Sequence, residues 1–572
     1  MNLKHKITSL CALLFITIST QAVTFSSLDD NFPVLALSQN KTIKAEKKWL
    51  LLPVKNGVER KRLDVFINGE KVRWIDIELA EENPDWYAYL DISAWEGKTL
   101  ELSVDGLAVD AKAFGLIKQS NKELDKDKVY KESNRGQIHF SPKRGWNNDP
   151  NGMVYYGGEY HLFFQHNPYG SEWGNMHWGH AVSKDLVHWE EVGEALYPDK
   201  YGPVYSGSGV VDKNNTSGFG TKENPPMVVS FTSSDAWIQG IAYSTDGRNF
   251  THMDHPAVEK ITDGNRDPKI IWYEPQKKWI MVLWVEKENR LNTIHFFSSK
   301  NLKDWQLTSV LEGGIGDDRY MFECPDFYEL PVEGKNGEKK WVLNAANGEY
   351  AIGTFDGETF KPEESRLKSV QTNDYYAAQT FTNDPQGRKI EIGWFRTKTN
   401  TAPGNNFNQS MSIPMNLRLL QTPEGIRLSR KPVEEFKELR SKAYTQKNLL
   451  LGNDLTEVTL KKSGPVEIQT EIDLQNAENI SFEIKGVNIQ YDAKNSTLQV
   501  ADRKASLVSS DKILKLSIYL DRTGLEIFSK NGIFYMPVST TVDLENNKVS
   551  ISSDAAAQLL NLEIYQLKSI WK

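Results

Sequence analysis

Four short segments in the middle of the chain repeat one pattern at a nearly constant interval. Each begins with Ser or Thr, continues through a turn that contains Asp or Asn, and ends in an aromatic residue: 183–189 (SKDLVHW), 244–250 (STDGRNF), 299–305 (SKNLKDW) and 354–360 (TFDGETF). The aromatic ends lie 61, 55 and 55 residues apart. Repeats of this length, each built from several strands, are typical of a β-propeller, whereas a long sandwich with recurrent hairpins would not readily keep so regular a spacing. The interval predicts about five blades between residues 136 and 428.

Strand patterns flank the repeat on both sides, and long helical periodicity is scarce. Alternating runs around Asn68-Gly69 predict a hairpin, and Asn531-Gly532 predicts another near the C-terminus. A segment rich in Lys, Glu, Asp, Asn and Ser follows the first strand region and is typical of a solvated linker. The sequence therefore predicts an all-β chain with these parts: signal peptide 1–22, small N-terminal β-sandwich 24–117, linker 118–135, five-bladed β-propeller 136–428 and C-terminal β-sandwich 434–572.

The first residues have the three parts of an export signal. Lys4 and Lys6 supply a positive end, residues 7–18 an apolar run, and residues 20–22 a small-residue cleavage site. The run is too short for a permanent membrane anchor, and no other segment approaches membrane length. Cys11 stands in a poor context for lipid attachment. The sequence therefore favours an exported protein, periplasmic or extracellular, over a lipid-anchored one.

Charge and aromatic content narrow the class of ligand. The net charge of −8 comes without a basic stripe, which argues against nucleic acid as a partner. The 16 Trp, 22 Tyr and 24 Phe suit a neutral, ring-shaped ligand such as a sugar, although buried β cores would use the same residues. Cys324 would be the one cysteine left after signal cleavage. We expect it to be a small buried side chain, because no nearby His supplies a base for a nucleophile.

Three carboxylates stand out within the predicted propeller. Asp149 lies in GWNNDPNG (145–152), Asp267 in RDPK (266–269) and Glu323 in ECPD (323–326). Groups that act together at one end of a propeller channel come from different blades, so such residues are scattered along the sequence. Taken singly, each is better explained as a turn residue or a structural ion pair.

Together, the three segments resemble the signature motifs of glycoside hydrolase family 32, the family of invertases, inulinases and levanases. Further segments agree with the same family: 165–168 (QHNP), 178–183 (WGHAVS), 205–208 (YSGS), 375–380 (YYAAQT) and 521–532 (DRTGLEIFSKNG). The resemblance covers residues 136–572 and leaves out the N-terminal sandwich. One departure is Asn147, where the family more often has an apolar residue.

The resemblance implies a fold, an activity and a set of site residues. The family fold is a five-bladed propeller followed by a β-sandwich, and its activity is retaining hydrolysis of β-D-fructofuranosidic bonds. By position, Asp149 corresponds to the nucleophile, Glu323 to the general acid/base and Asp267 to the transition-state stabiliser. Residues at sugar-contacting positions are Asn148, Gln165, Trp173, Tyr205, Ser206, Arg266 and Trp394. No metal ion and no organic cofactor are implied.

Two local interactions are expected from adjacency in the sequence. A nucleophilic carboxylate must be ionised, and the amides of Asn148 and Asn151 are expected to donate hydrogen bonds to Asp149. Arg266 is expected to keep the neighbouring Asp267 charged and to contact sugar hydroxyls.

Substrate and mode of attack stay open at this stage. The candidates are levan (β-2,6), inulin (β-2,1) and sucrose, and exo attack with release of fructose is favoured because a propeller funnel encloses a chain end. A fructosyltransferase would use the same covalent intermediate with a sugar acceptor in place of water. A non-catalytic fructan-binding protein would share the aromatic content, but it would not need all three carboxylates.

Overall fold

A computed structural model describes residues 39–107, 111–315, 320–397, 405–453 and 455–571. The regular secondary structure of these residues is almost entirely β-strand, which confirms the all-β prediction. Within these ranges there is one α-helix, α1 (Ala113–Leu116), and five 3₁₀ helices, Ser93–Trp95, Glu274–Gln276, Glu288–Arg290, Glu434–Leu439 and Lys530–Gly532. No helix in the described ranges is long and apolar enough to cross a bilayer. The predicted export signal lies outside the described residues.

The N-terminal region consists of two sheets packed over one apolar core. Its strands are β1 (Gln39–Lys44), β2 (Trp49–Val54), β3 (Lys61–Ile67), β4 (Glu70–Ile77), β5 (Trp86–Asp91), β6 (Thr99–Val104) and β7 (Lys118–Ser120). The sheet orders are β1-β6-β3-β4 and β5-β2-β7. Asn68 and Gly69 form the turn between β3 and β4, both with positive φ, as the sequence predicted.

The segment 118–135 differs from the solvated linker that its composition suggested. Its first three residues form β7 and pair with β2. Asp125 accepts a 2.8 Å hydrogen bond from Arg144, and Tyr130 stacks on Trp571 with ring centroids 4.1 Å apart. Arg135 is fully buried against Phe407. Charged side chains satisfied by partners in other regions therefore make this segment part of the packed structure.

The central region is a ring of five four-stranded sheets, the last two of which are joined by a short parallel pairing of Val332 with Leu419 and Glu333 with Leu420. The first four sheets run in chain order: β8 (Gly145–Tyr156), β9 (Glu159–Asn167), β10 (His177–Ser183), β11 (Glu190–Leu196); β12 (Val204–Val211), β13 (Met227–Ser233), β14 (Ile238–Ser244), β15 (Thr251–His252); β16 (Asn265–Tyr273), β17 (Lys278–Lys287), β18 (Leu291–Ser299), β19 (Gln306–Ile315); β20 (Asp326–Glu333), β21 (Lys339–Asn344), β22 (Glu349–Phe355), β23 (Phe360–Lys368). The fifth contains β24 (Tyr375–Thr380) and β25 (Ile390–Phe395), then, after the short strands β26 (Phe407–Asn408) and β27 (Ser410–Met411), β28 (Met415–Thr422) and β29 (Gly425–Pro432).

The first strands of the five sheets surround a common axis. β8 contacts β12, β12 contacts β16, β16 contacts β20, β20 contacts β24, and β24 returns to β8. The ring is also closed by β26, which pairs in parallel with β8. These contacts make each sheet one blade of a five-bladed propeller.

The sequence repeat marks one turn in each of the first four blades. In the first three blades Ser183, Ser244 and Ser299 end the third strand, and their hydroxyls bond the Asp or Asn two residues later. That side chain accepts hydrogen bonds from the backbone of the turn, and the aromatic residue immediately precedes the fourth strand. In the fourth blade Asp356 accepts the equivalent backbone bonds. The spacing of the repeat therefore measures the length of a blade.

The C-terminal region is a sandwich of two six-stranded sheets. Its strands are β30 (Arg440–Leu451), β31 (Thr456–Thr459), β32 (Val466–Asp473), β33 (Asn479–Ile484), β34 (Val487–Asp492), β35 (Thr497–Val500), β36 (Arg503–Ser506), β37 (Ile513–Leu520), β38 (Gly524–Ser529), β39 (Phe534–Ser539), β40 (Lys548–Ser553) and β41 (Ala557–Leu567). The sheet orders are β30-β41-β32-β37-β38-β39 and β31-β40-β33-β34-β35-β36. Asn531-Gly532 lies in the turn between β38 and β39, as predicted. Phe528 and Tyr535 share a core with propeller residues such as Phe140, so the sandwich is packed directly on the propeller.

Candidate active site

All five blades place a polar side chain at the same end of the ring. The first strands β8, β12, β16 and β24 each have a register shift near their N-terminal end, and β20 is preceded by an irregular segment. Bulges of this kind re-aim side chains out of the regular alternation. The residues they present, one from each blade in order, are Asp149, Ser206, Asp267, Glu323 and Tyr376.

Asp149 is held by hydrogen-bond donors from three places. The Ser206 hydroxyl donates to its Oδ2 at 2.7 Å, the Asn148 amide donates to its Oδ1 at 3.1 Å, and the Cys324 sulfur lies 3.6 Å from Oδ2. Burial raises the pKa of Asp149, while the bonds from Ser206 and Asn148 act in the opposite direction. The expected bond from Asn151 is not made: its side-chain oxygen accepts from the Gly207 amide at 3.3 Å, and its amide nitrogen has no hydrogen-bond partner among the described residues.

Asp267 is almost completely buried beside Cys324. Its Oδ2 accepts a 3.0 Å hydrogen bond from the Cys324 backbone amide and lies 3.5 Å from the sulfur. Burial raises the pKa of Asp267 to about 7, with the nearby Glu323 and Asp149 carboxylates acting in the same direction. Arg266, whose Nε lies 3.8 Å from Oδ2, lowers the pKa of Asp267 as expected, but burial acts more strongly in the opposite direction.

Glu323 lies between a cation and a hydroxyl. One carboxylate oxygen contacts the Arg266 guanidinium, and the other accepts a 2.6 Å hydrogen bond from the Tyr376 hydroxyl. The Arg266 guanidinium also lies over the Trp284 ring, 4.1 Å from its centroid. The Arg266 guanidinium thus lies within ion-pair distance of both Asp267 and Glu323. The YYAAQT motif contains Tyr376, but nothing in the sequence indicates that its hydroxyl pairs with Glu323.

Three residues of this cluster have left-handed backbone conformations. The φ angles are 67° at Asp267, 56° at Glu323 and 41° at Cys324. For residues other than glycine such angles cost on the order of 1–3 kcal/mol each and occur where surrounding contacts fix them. Here the Glu323 carbonyl accepts a 3.1 Å bond from the Ala346 amide, and the Cys324 amide is fixed by Asp267. The site is therefore held in place by its own hydrogen bonds.

The cluster forms the floor of a pocket of about 270 Å³. All ten residues proposed from the sequence line this pocket, together with Cys324 and Tyr376: Asn148, Asp149, Gln165, Trp173, Tyr205, Ser206, Arg266, Asp267, Glu323 and Trp394. In the described part of the chain, no group of three or more His, Cys, Asp or Glu side chains is arranged to hold a metal ion.

The residues expected to contact sugar differ in how firmly their side chains are held by the protein. Gln165 donates to the Val204 carbonyl at 3.0 Å, and the Trp394 indole donates to the Gln409 side chain at 3.0 Å, so both are fixed by protein partners. Trp173 is half exposed at the rim, where its ring lies edge-on to that of Tyr205 with centroids 6.2 Å apart. The pocket thus has a rigid polar floor and an aromatic rim, which suits a small polar ring.

The departure at Asn147 has a structural role beside the pocket. The side chain is fully buried, and its amide nitrogen can donate to the carbonyls of Gln409 and Asn408 at 3.1 and 3.2 Å. An apolar residue could not make these bonds. Asn147 therefore ties β8 to the segment that closes the propeller.

Comparison with known proteins identifies the family. The Glycosyl hydrolases family 32 N-terminal domain matches residues 139–432, which include all three carboxylates. The chain is 37% identical over 490 residues to the levanase of Bacillus subtilis (strain 168), with 77% of this chain and 72% of the levanase covered. It is 30% identical over 521 residues to the extracellular exo-inulinase of Aspergillus awamori, with 77% and 96% covered. The chain belongs to glycoside hydrolase family 32.

Solved structures of family 32 proteins agree with the observed fold. The exo-inulinase from Aspergillus awamori superposes with a TM-score of 0.69 at 27% identity, over 77% of this chain and all of that chain. The fructofuranosidase from Schwanniomyces occidentalis complexed with fructose gives a TM-score of 0.68 at 27% identity, over 77% and 99%. The predicted propeller-plus-sandwich fold is confirmed. As a family 32 member, the chain is a glycoside hydrolase of the β-fructofuranosidase type that hydrolyses fructan or sucrose.

Proposed function

We propose that this family 32 enzyme hydrolyses terminal β-D-fructofuranosyl bonds of levan or inulin with retention of configuration and releases fructose. Asp149 is the nucleophile, Glu323 the general acid/base and Asp267 the stabiliser of the transition state. The observation that carries the proposal is the convergence of these three carboxyls, from three blades, on one small pocket. Retaining hydrolysis needs one carboxylate to attack carbon and a second to protonate the leaving oxygen.

The surroundings of each carboxyl support these roles. Asp149 accepts hydrogen bonds from Ser206 and Asn148, which favour the ionised form that a nucleophile requires. Glu323 lines the same pocket and is oriented by the Tyr376 hydroxyl and the Arg266 guanidinium, as a group that protonates a leaving oxygen requires. Burial raises the pKa of Asp267 to about 7, so this carboxyl can lose its proton to water when sugar hydroxyls bind. Its negative charge then stabilises the positive charge that develops on the sugar in the transition state.

Exo attack is supported by the size of the pocket. A volume of about 270 Å³ lies below the usual range for sites that enclose drug-sized ligands, roughly 300–1,000 Å³. Such a pocket accommodates the end of a fructan chain more readily than an internal segment. The similarity to an exo-inulinase over nearly its full length agrees with this mode.

Export into the periplasm or the medium is part of the same proposal. The N-terminal sequence has the form of a cleavable export signal, and the similar inulinase of Aspergillus awamori is named extracellular. Fructans are polymers, so an enzyme that shortens them acts where they are accessible.

Product analysis tests the proposal. Levan, inulin and sucrose are incubated separately with the enzyme, and early products are separated by chromatography. Fructose as the sole early product of a fructan supports exo hydrolysis, a ladder of oligosaccharides indicates endo attack, and products longer than the substrate indicate fructosyl transfer. With methanol as a competing acceptor, a retaining enzyme yields methyl β-D-fructofuranoside, and the α-anomer would contradict the assignment of Asp149.

A further inference from the structure

The loop that carries Trp173 is built jointly with the N-terminal sandwich. This loop, residues 168–176, connects β9 to β10 in the first blade. The Arg60 guanidinium donates a 2.9 Å hydrogen bond to the carbonyl of Trp173 itself. Arg60 lies between β2 and β3 of the sandwich and is exposed on its other sides. The backbone of a pocket residue is thus held by a side chain from a different domain.

A second connection fixes the end of the same loop. The Asn175 side chain accepts a 2.8 Å bond from the Asp76 amide and donates a 2.7 Å bond to the Asp76 carbonyl. Because Asp76 lies in β4, Asn175 pairs with the edge of the sandwich much as a neighbouring strand would. Asn175 is buried and has a φ of 45°, a conformation that Asn tolerates better than most residues.

The start of the loop is also buried in the N-terminal domain. Tyr169, which is 1% exposed, packs in the apolar core formed by the two sheets of the sandwich. The loop is therefore attached to this domain at its beginning, its middle and its end. Its conformation depends on a region that the family comparison does not cover, because that match begins at residue 139.

The Trp173 side chain in this loop belongs to an aromatic rim that also contains Tyr205 and Trp237. The Trp173 ring is 50% exposed and contacts Tyr205 edge-on, and Tyr205 contacts Trp237 edge-on, each with centroids 6.2 Å apart. The carboxylates lie at the floor of the pocket, so this rim lies where the chain would continue beyond the terminal fructose. Flat apolar ring faces bind the C–H faces of sugars while leaving the hydroxyls to water.

We propose that the N-terminal sandwich positions Trp173, through Arg60 and the Asp76 backbone, as part of the binding surface for the fructan units that adjoin the cleaved fructose. This inference rests on the proposed fructan hydrolysis. Arg60 is a positioning residue that acts through Trp173. Its loss should weaken fructan binding without slowing the chemical step, because none of the three carboxyls depends on it.

The test measures steady-state kinetics on inulin and levan for Arg60→Ala, Trp173→Ala and the double variant. Losing one solvent-exposed hydrogen bond corresponds to a change between about threefold and tenfold. We therefore expect KM of Arg60→Ala to rise by about threefold to tenfold, with kcat within about twofold of wild type. The double variant should resemble Trp173→Ala alone, since Arg60 has no further effect once the ring is absent. Arg60→Lys, which keeps a donor for the carbonyl, should recover most of the lost affinity.

Lys71→Ala is the matched control in the same domain. Lys71 pairs with Asp64 at 2.5 Å on the sandwich surface, and its loss should leave both KM and kcat unchanged. Two kinetic results would overturn the inference: an unchanged KM in Arg60→Ala, or additive effects on KM in the double variant. A fall in both kcat and thermal stability in Arg60→Ala would also overturn it, because it would indicate general damage to the fold. If the wild-type enzyme releases no fructose from either fructan, the proposed function itself is wrong. The wild-type assay therefore precedes the variants and separates the two failures.

Discussion

The Tyr376 hydroxyl donates a 2.6 Å hydrogen bond to the Glu323 carboxylate across the junction between the fourth and fifth blades. The other oxygen of Glu323 contacts Arg266, which comes from the third blade. A carboxyl that must protonate a leaving group and later deprotonate water has to keep one orientation through both steps. These two partners from different blades supply that constraint.

Tyr376→Phe should lower kcat by about tenfold to a hundredfold, because it removes one of the two donors that orient Glu323. KM should change much less. The measurement is kcat and KM on the preferred fructan. Tyr375→Phe is the control, since the hydroxyl of the adjacent Tyr375 donates at 2.7 Å to the buried Glu391, away from the pocket. Tyr375→Phe should lower thermal stability and leave kcat near wild type. If Tyr375→Phe instead lowers kcat and Tyr376→Phe does not, the Tyr376 hydroxyl has no role in orienting Glu323.

Asp149→Asn and Glu323→Gln should each reduce fructan hydrolysis by several orders of magnitude and leave the circular dichroism spectrum unchanged. Each substitution keeps the shape of the side chain and removes a carboxylate that two-step chemistry needs. Asp326→Asn is the control: Asp326 is buried near the site but forms a 2.6 Å ion pair with Lys269. It should cost stability while the folded fraction stays active. Near-native turnover in either site variant would contradict the assignment.

The pKa of Asp267 gives a signed prediction for stability against pH. A carboxyl whose pKa rises from 3.8 to about 7 on folding contributes stability that is complete below pH 4 and is lost as the pH rises through 7. The loss is on the order of 4 kcal/mol. Asp267→Asn removes this dependence and keeps a side chain that tolerates the positive φ. Its melting temperature relative to wild type should therefore increase from pH 4 to pH 8, and a difference independent of pH would show that Asp267 is charged in the free protein.

Asp267→Asn should also lower kcat far more than it raises KM, because bonds to the sugar hydroxyls strengthen as positive charge develops in the transition state. Kinetics at a pH where both proteins are fully folded separate this effect from stability. A variant that changes KM alone would make Asp267 a ground-state binding residue.

Cys324→Ser should keep kcat within about tenfold of wild type, because the thiol is a neighbour of the carboxylates and not a reactant. Burial and the adjacent carboxylates raise the pKa of Cys324 well above its ordinary value, so little thiolate is present. Iodoacetamide should therefore modify the native enzyme slowly and the urea-unfolded enzyme quickly. If modification does occur, bound fructose should slow it. Loss of activity comparable to that of Glu323→Gln would place the sulfur in the mechanism.

How much the sequence could predict differs between the fold and the site. The propeller followed from the repeat, because a turn between the third and fourth strands recurs once per blade and leaves Ser, Asp or Asn and an aromatic residue at a fixed interval. The three carboxyls were found from motifs. The pairing of Arg266 with Glu323 could not be predicted from the sequence. Adjacent residues in a strand normally point to opposite faces, and a register shift alters that alternation. The guanidinium accordingly reaches Glu323, which is 57 residues away.

The packed segment 118–135 and the loop of Trp173 show a second limit. Composition predicts that a charged stretch is solvated, but Asp125 and Arg135 find partners that are distant in sequence or buried. Likewise, nothing near Trp173 in the sequence indicates that Arg60, 113 residues earlier, bonds its carbonyl. Contacts between domains depend on how the folded domains pack against each other, and local sequence patterns carry no information about this packing.

His139 gives the last prediction, at the junction between the propeller and the C-terminal sandwich. Its two ring nitrogens lie 2.9 Å from Asp521 and 2.9 Å from Glu526, and all three side chains are fully buried. Although burial alone would lower it, these carboxylates raise the pKa of His139 to about 9. A histidine whose pKa is raised on folding contributes stability that is complete below pH 6.5 and is lost as the pH rises through 9.

The loss between pH 6.5 and pH 9.5 amounts to about 3 kcal/mol. His139→Gln should be much less stable than wild type at pH 6.5, and the difference should shrink as the pH approaches 10. Urea unfolding at pH 6.5, 8 and 10 measures it, with the exposed His255→Gln as a control that should follow wild type throughout. The charged triad would be excluded by a stability difference between His139→Gln and wild type that stays constant over this range, because a neutral imidazole at this position would lose nothing as the pH rises.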